Sequence, residues 1–167
     1  MDIKSTHDIL SIKGRVQKIL RDENGSIVQL HDDHNLVVNI GIEKLLKLIM
    51  GSYTGTVAKC SVGSGGAPSD NAFAPISPTV SDTGLTTFVM SKLIGTSVLN
   101  GASPSTSATF TTLFTSVEAN CLANEVALLF ADNSIFAKHT FPTMYLKNDR
   151  GYSLEVIWTI QITSIVS

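Results

Sequence analysis

Between Leu154 and Ile162 every second residue is apolar: Leu154, Val156, Trp158, Ile160 and Ile162, with Glu155, Thr159 and Gln161 between them. A period of two lines one face of an extended strand, whereas a helix would scatter the same residues around its axis. The segment is therefore expected as a half-buried strand, with Trp158 in mid-core. A second alternation runs over residues 106–117. It sets Phe110, Thr112, Phe114 and Ser116 on one face, and Thr109, Thr111, Leu113, Thr115 and Val117 on the other. Its threonine density favours strand over helix.

Turn chemistry multiplies these strands. Asn24-Gly25 between residues 15–20 and 27–31 reads as a hairpin turn, and Ala131-Asp132-Asn133-Ser134 joins 126–130 to 135–141 in a second hairpin, with Pro142 ending or edging it. Asp32-Asp33 interrupts before 35–40, which is either a continuation past a bulge or a separate short strand. Residues 56–62 and 86–94 supply further strands, and Asn100-Gly101-Ala102-Ser103-Pro104-Ser105 is a turn cluster. Residues 63–84 carry Pro68, Pro75 and Pro78 among many small residues and read as a long Pro/Gly-rich loop, a kind that is usually functional or mobile.

One helix breaks the pattern. Ile42, Leu45, Leu46 and Ile49 recur at i, i+3, i+4 and i+7, predicting a short helix over about residues 41–50. Asn39 is its expected cap, Glu43 a first-turn acid and Gly51 its stop. The expected fold is mainly β: an antiparallel β-sandwich over residues 14–167, with that helix covering an end or open face and residues 1–13 as an N-terminal arm.

At 167 residues, one domain is the natural division. Charged residues make up 16% of the chain, against about a quarter in ordinary globular proteins, while 43% is hydrophobic. A surface so thinly charged suits a protein covered in part by partners. The net charge of −2 is scattered, which argues against nucleic acid, and no apolar run is long enough for a membrane span. The N-terminal residues lack a signal pattern, so synthesis in a cytoplasm is expected. There Cys60 and Cys121 are expected as unpaired, small apolar residues.

Each chemical constellation has a plainer alternative. His31-Asp32-Asp33-His34 combines ligand types suited to a divalent ion, but residues three apart on a strand face opposite ways, and a polar turn is the expectation. Gly63-Ser64-Gly65-Gly66 could cradle an anion, yet Pro68 stands where a fingerprint needs glycine and no Gly-Lys-Ser/Thr follows. Glu118 and Glu125 could form a glycosidase pair, but a backbone or inter-subunit hydrogen bond explains each more simply. No nucleophile elbow or Cys/His signature is present. No catalytic, cofactor-binding or metal residue is assigned, and no cofactor or small-molecule substrate is expected.

Three ordered stretches resemble tailed-phage tail, baseplate and fibre proteins. The first is His34-Asn35-Leu36-Val37-Val38-Asn39-Ile40-Gly41, running into the helix and Gly51. The second is Ala58-Lys59-Cys60-Ser61-Val62-Gly63-Ser64-Gly65, followed by Ser81-Asp82-Thr83-Gly84-Leu85. The third joins Asn124-Glu125-Val126-Ala127-Leu128-Leu129-Phe130, Ile135-Phe136-Ala137-Lys138-His139-Thr140-Phe141-Pro142 and Leu154-Glu155-Val156-Ile157-Trp158-Thr159-Ile160. The loop 66–80 is longer than that pattern expects, and no fibre shaft or receptor-binding tip follows.

The resemblance implies a helix packed on a β-sandwich, in a virion subunit that docks in a symmetric ring or trimer at tail, baseplate or collar. Its expected partners are further copies and other virion proteins. A capsid decoration or head-fibre protein, and a host-surface carbohydrate-binding module, are the alternatives.

Overall fold

The computed structural model describes residues 8–101, 106–146 and 150–166. Its strands are β1 (Asp8–Arg21), β2 (Ile27–Val37), β3 (Val57–Gly63), β4 (Phe88–Leu93), β5 (Thr96–Leu99), β6 (Ser107–Phe114), β7 (Cys121–Phe130), β8 (Ile135–Leu146) and β9 (Ser153–Val166). The one α-helix among the described residues, α1 (Asn39–Ile49), follows β2. All nine strands belong to one sheet, in the order β4-β3-β7-β8-β2-β1-β9-β6-β5, and every neighbouring pair is antiparallel. The chain is thus mainly β with one short helix, its sheet curled into a half-barrel.

Two corners produce the curl. Strand β2 pairs with β1 up to Gly14↔Asn35, then changes neighbour, and Leu36 and Val37 pair with Lys138 and Ala137 of β8. At the other corner β4 and β5 lie at opposite ends of the strand order although only Ile94 and Gly95 separate them. Ile94 N–H donates to the Ala58 carbonyl and Gly95 N–H to the Thr111 carbonyl, each at 2.9 Å. The kinked segment therefore serves one sheet end with its first half and the other with its second, a device by which strands turn corners between layers.

The concave face holds the core. Val16 and Leu20 of β1, Val62 of β3, Val126, Leu128 and Phe130 of β7, Phe141 and Met144 of β8, and Leu154, Val156 and Trp158 of β9 are buried in one cluster. The expected alternation of β9 holds: Leu154, Val156 and Trp158 are fully buried and Ile160 nearly so, while Ile162 at the strand's open end is 37% exposed. Trp158 reaches across the fold, its indole N–H donating to Cys60 Sγ at 3.5 Å. Cys60 and Cys121 are free thiols.

Several boundaries differ from expectation. Residues 8–13, expected in an arm, extend β1 and pair with residues 161–166 of β9; residues 1–7 of that arm lie outside the described residues. Asp32-Asp33 makes no turn, because β2 runs unbroken through both. Pro142 does not end β8. Between Glu125↔Thr140 and Ala123↔Met144 the strand spends extra residues on a bulge that accommodates the proline's missing donor. Strand β5 was not anticipated, and residues 102–105 of the second turn cluster lie outside the described residues.

Helix α1 begins at Asn39, with Val38 at the cap position and no side-chain cap. Backbone bonds replace it: Asn39 N–H donates to the Val80 carbonyl and Val38 N–H to the Phe136 carbonyl. Glu43 lies beyond the first turn and pairs with Lys47 instead. Gly51 does adopt the left-handed conformation, at φ +68°.

Candidate functional site

The convex face of β7 and β8 carries a buried ionic cluster beneath the loop 64–87. Glu125, fully buried within the apolar run of β7, accepts three backbone N–H bonds: Gly65 at 3.0 Å and Thr87 at 2.7 Å on Oε1, and Thr86 at 2.9 Å on Oε2. Lys138 Nζ lies 3.5 Å from the same carboxylate and 3.1 Å from Asp82, and donates to the Gly84 carbonyl. Asn124 Oδ1 takes the Gly66 N–H at 2.6 Å. Thr140 and Thr143 hydroxyls hold the Ile76 and Ala72 carbonyls.

The glycine-rich stretch is therefore an anion cradle whose anion is the chain's own Glu125. A β-carbon at Gly63 would lie 2.7 Å from Glu125 Oε1, and one at Gly65 2.7 Å from Thr87 N, so close approach explains both glycines. The long loop is fastened along its length. Leu85 from the loop and Ile40 from α1 pack on Val38, Ala127, Leu129 and Ile135, a small second core on the convex face.

Glu118 is held in the same manner. It accepts from Lys92 Nζ at 2.6 Å, Thr115 N–H at 2.9 Å and Thr115 Oγ1 at 3.0 Å, and the lysine followed by the backbone donor lowers its pKa to about 2. Both carboxylates named from the sequence thus fasten turns and loops.

The His31-Asp32-Asp33-His34 stretch is divided by the strand alternation. Asp32 meets Arg15 and Gln17, while Asp33 lies 2.8 Å from Lys18 Nζ and 3.5 Å from His139 Nε2. Lys18 shares the inward face with Val16 and Leu20, and its side chain is fully buried, with the ammonium 5.2 Å from the Phe141 ring centre. Burial lowers the Lys18 pKa against the pull of Asp33. Burial and then Lys18 lower His139 to about 4, and the same two causes lower His31. This cluster fills the seam between β2 and β8 ahead of the point where the two strands pair, at Leu36 and Val37. Among the described residues no group of three or more His, Cys, Asp or Glu side chains could hold a metal.

The surface shows what the motifs do not. On α1 only Gly41 is buried; Leu45 and Leu48 pack on the core while Ile42, Leu46, Ile49 and Met50 are 41%, 56%, 80% and 77% exposed. Phe88 and Leu93 on β4, Val98 and Leu99 on β5, and Phe73, Ile76 and Val80 on the loop are also exposed. Beside α1, a groove of about 700 Å³ opens between β1 and β2, where the two strands part. Sequence periodicity identified the helix stripe but placed it against the sheet. Of the two edge strands, β4 lies within the expected strand 86–94, whereas β5 went unread because all four of its residues are exposed and no buried face imposes alternation.

The chain matches no protein-family model, no curated protein and no solved structure.

Proposed function

We propose that the chain is a non-enzymatic structural subunit of a phage virion, a tail, baseplate or collar component that forms a symmetric oligomer and anchors neighbouring tail or fibre proteins. The observation that carries this reading is the apolar surface of α1, β4 and β5, on a chain with only 16% charged residues. Exposed apolar side chains in contiguous groups mark surfaces that partners cover. The three stretches resembling tail proteins supply the setting, and the two halves of the curled sheet correspond on this reading to the layers of their β-sandwich.

The test has two parts. Light scattering on the full chain is expected to show a discrete oligomer that Leu46→Asp with Ile49→Asp dissociates without lowering the thermal midpoint. Mass spectrometry of tailed-phage particles encoding the chain is expected to find it in the tail fraction. A wild-type monomer at every concentration reached, or particles lacking the chain, would overturn the proposal.

A further inference from the structure

Strand β1 has neighbours on both sides over residues 14–21, where β2 and β9 flank it, but among the described residues only β9 lies beside residues 8–13. The reason is the corner in β2, which leaves β1 after Asn35 and pairs with β8 through Leu36 and Val37. The backbone groups on that side of Ile12 and Lys13 thus border the groove that β2 has left, and the open edge continues from there to Asp8. Strand β9 remedies this only in part: its pairing with β6 ends at Gln161 and the Ile162 N–H still donates to the Thr106 carbonyl, so among the described residues 8–11 and 163–166 form a two-stranded ribbon. Such a ribbon is marginal in water without a third strand or a packed face.

The groove has the chemistry to receive one. Ile12, Leu36, Val37 and Ile42 form apolar walls, and Lys13 lies at the rim without an ion pair among the described residues. No carboxylate lines it. Asn35, at the apex over Gly14, has neither its amide oxygen nor its amide nitrogen hydrogen-bonded among the described residues. A buried amide of that kind is costly alone and gains both a donor and an acceptor when a polypeptide backbone comes alongside and the side chain turns toward it.

We propose that this groove is a strand-acceptor site: an extended acidic segment of a different protein adds to the open edge of β1 at residues 8–13. Its apolar side chains enter between Ile12 and Ile42, and a carboxylate meets Lys13. Main-chain bonds supply the attachment, and the pocket and the lysine supply selectivity. An acidic donor is selected by Lys13, which has no ion pair among the described residues and meets no carboxylate in the lining, and a second copy of this chain is the competing donor that the test separates from it. The inference rests on the assembly reading above and names the chemistry of one partner.

Capped twelve-residue peptides of alternating valine and threonine, with either Glu or Lys substituted for the central threonine, test it on the full chain. The glutamate peptide is expected to bind at least tenfold more tightly than the lysine peptide and to slow amide exchange at residues 8–13. Lys13→Glu should reverse the preference, and Ile42→Asp should abolish binding with the thermal midpoint unchanged. No binding by either peptide, a preference indifferent to Lys13→Glu, or protection confined to other strands would overturn the site. Protection of residues 8–13 by self-association alone would show that a second copy is the donor, which also overturns the proposal as stated. If the oligomer forms while the peptides fail, the acceptor site falls and the assembly reading stands.

Discussion

Glu125 shows how one side chain can organise a long irregular segment. Its two oxygens satisfy backbone donors at Gly65, Thr86 and Thr87, at both ends of the loop 64–87. Glu125→Gln keeps the shape but presents an amide donor where an acceptor is needed. The expected loss is about 2–3 kcal/mol from the denaturant midpoint, because hydrogen bonds to a charged group are lost and buried donors left unmade. Limited proteolysis should then cut within 64–87, and an unchanged midpoint would refute this account of the loop.

The seam cluster makes a second residue-scale prediction, with a definite sign. An unfolded histidine titrates near its ordinary 6.5, whereas His139 in the fold is held down to about 4 by burial and Lys18. Between those values the unfolded chain binds the extra proton, so stability is complete above about pH 6.5 and falls as the pH drops toward 4. His31 acts in the same direction. Urea midpoints across that window should fall for the wild type and fall less for His139→Phe. Parallel curves for the two proteins would remove His139 from the account.

At the scale of elements, the helix is where an ordinary rule should fail. Replacing glycine by alanine inside a helix normally stabilises by about 0.5–1 kcal/mol. At Gly41 the added β-carbon would collide with the Phe136 carbonyl of β8, so Gly41→Ala is expected instead to destabilise by about 1–3 kcal/mol through overpacking. A thermal midpoint equal to or above that of the wild type would show that the helix can move away.

The same helix marks the boundary of what was legible in the sequence. Its existence and its Gly51 terminus followed from spacing, because 3.6-residue periodicity is local. The side it turns to the sheet depends on Gly41 meeting β8, a contact between residues far apart in sequence. β9 and the interior of β1 were legible through their burial; β5 was not, since all four of its residues are exposed. Lys18 obeyed the alternation of Val16 and Leu20 and was readable as an inward cation on that ground alone. Glu125 was readable only as a candidate, because the donors it satisfies lie 38 to 60 residues away.

For the whole molecule, the question is whether the curled sheet unfolds as one unit or as two halves. The core answers for one: β3 and β7 contribute to the same cluster as β1 and β9, and Trp158 touches Cys60 across it. Both corners also carry covalently continuous strands from one half to the other, so neither half can expose its inner face without uncovering its counterpart. Trp158→Ala should therefore reduce stability by about 3–5 kcal/mol, the usual range for removing a large buried aromatic side chain. The loss should be equal whether read from amide exchange in β9, where the residue sits, or in β3, on the opposite side of the core. If β3 amides keep their protection while those of β9 lose it, the half-barrel is two cooperative units joined at its corners, and the surfaces offered to partners could then respond to them independently.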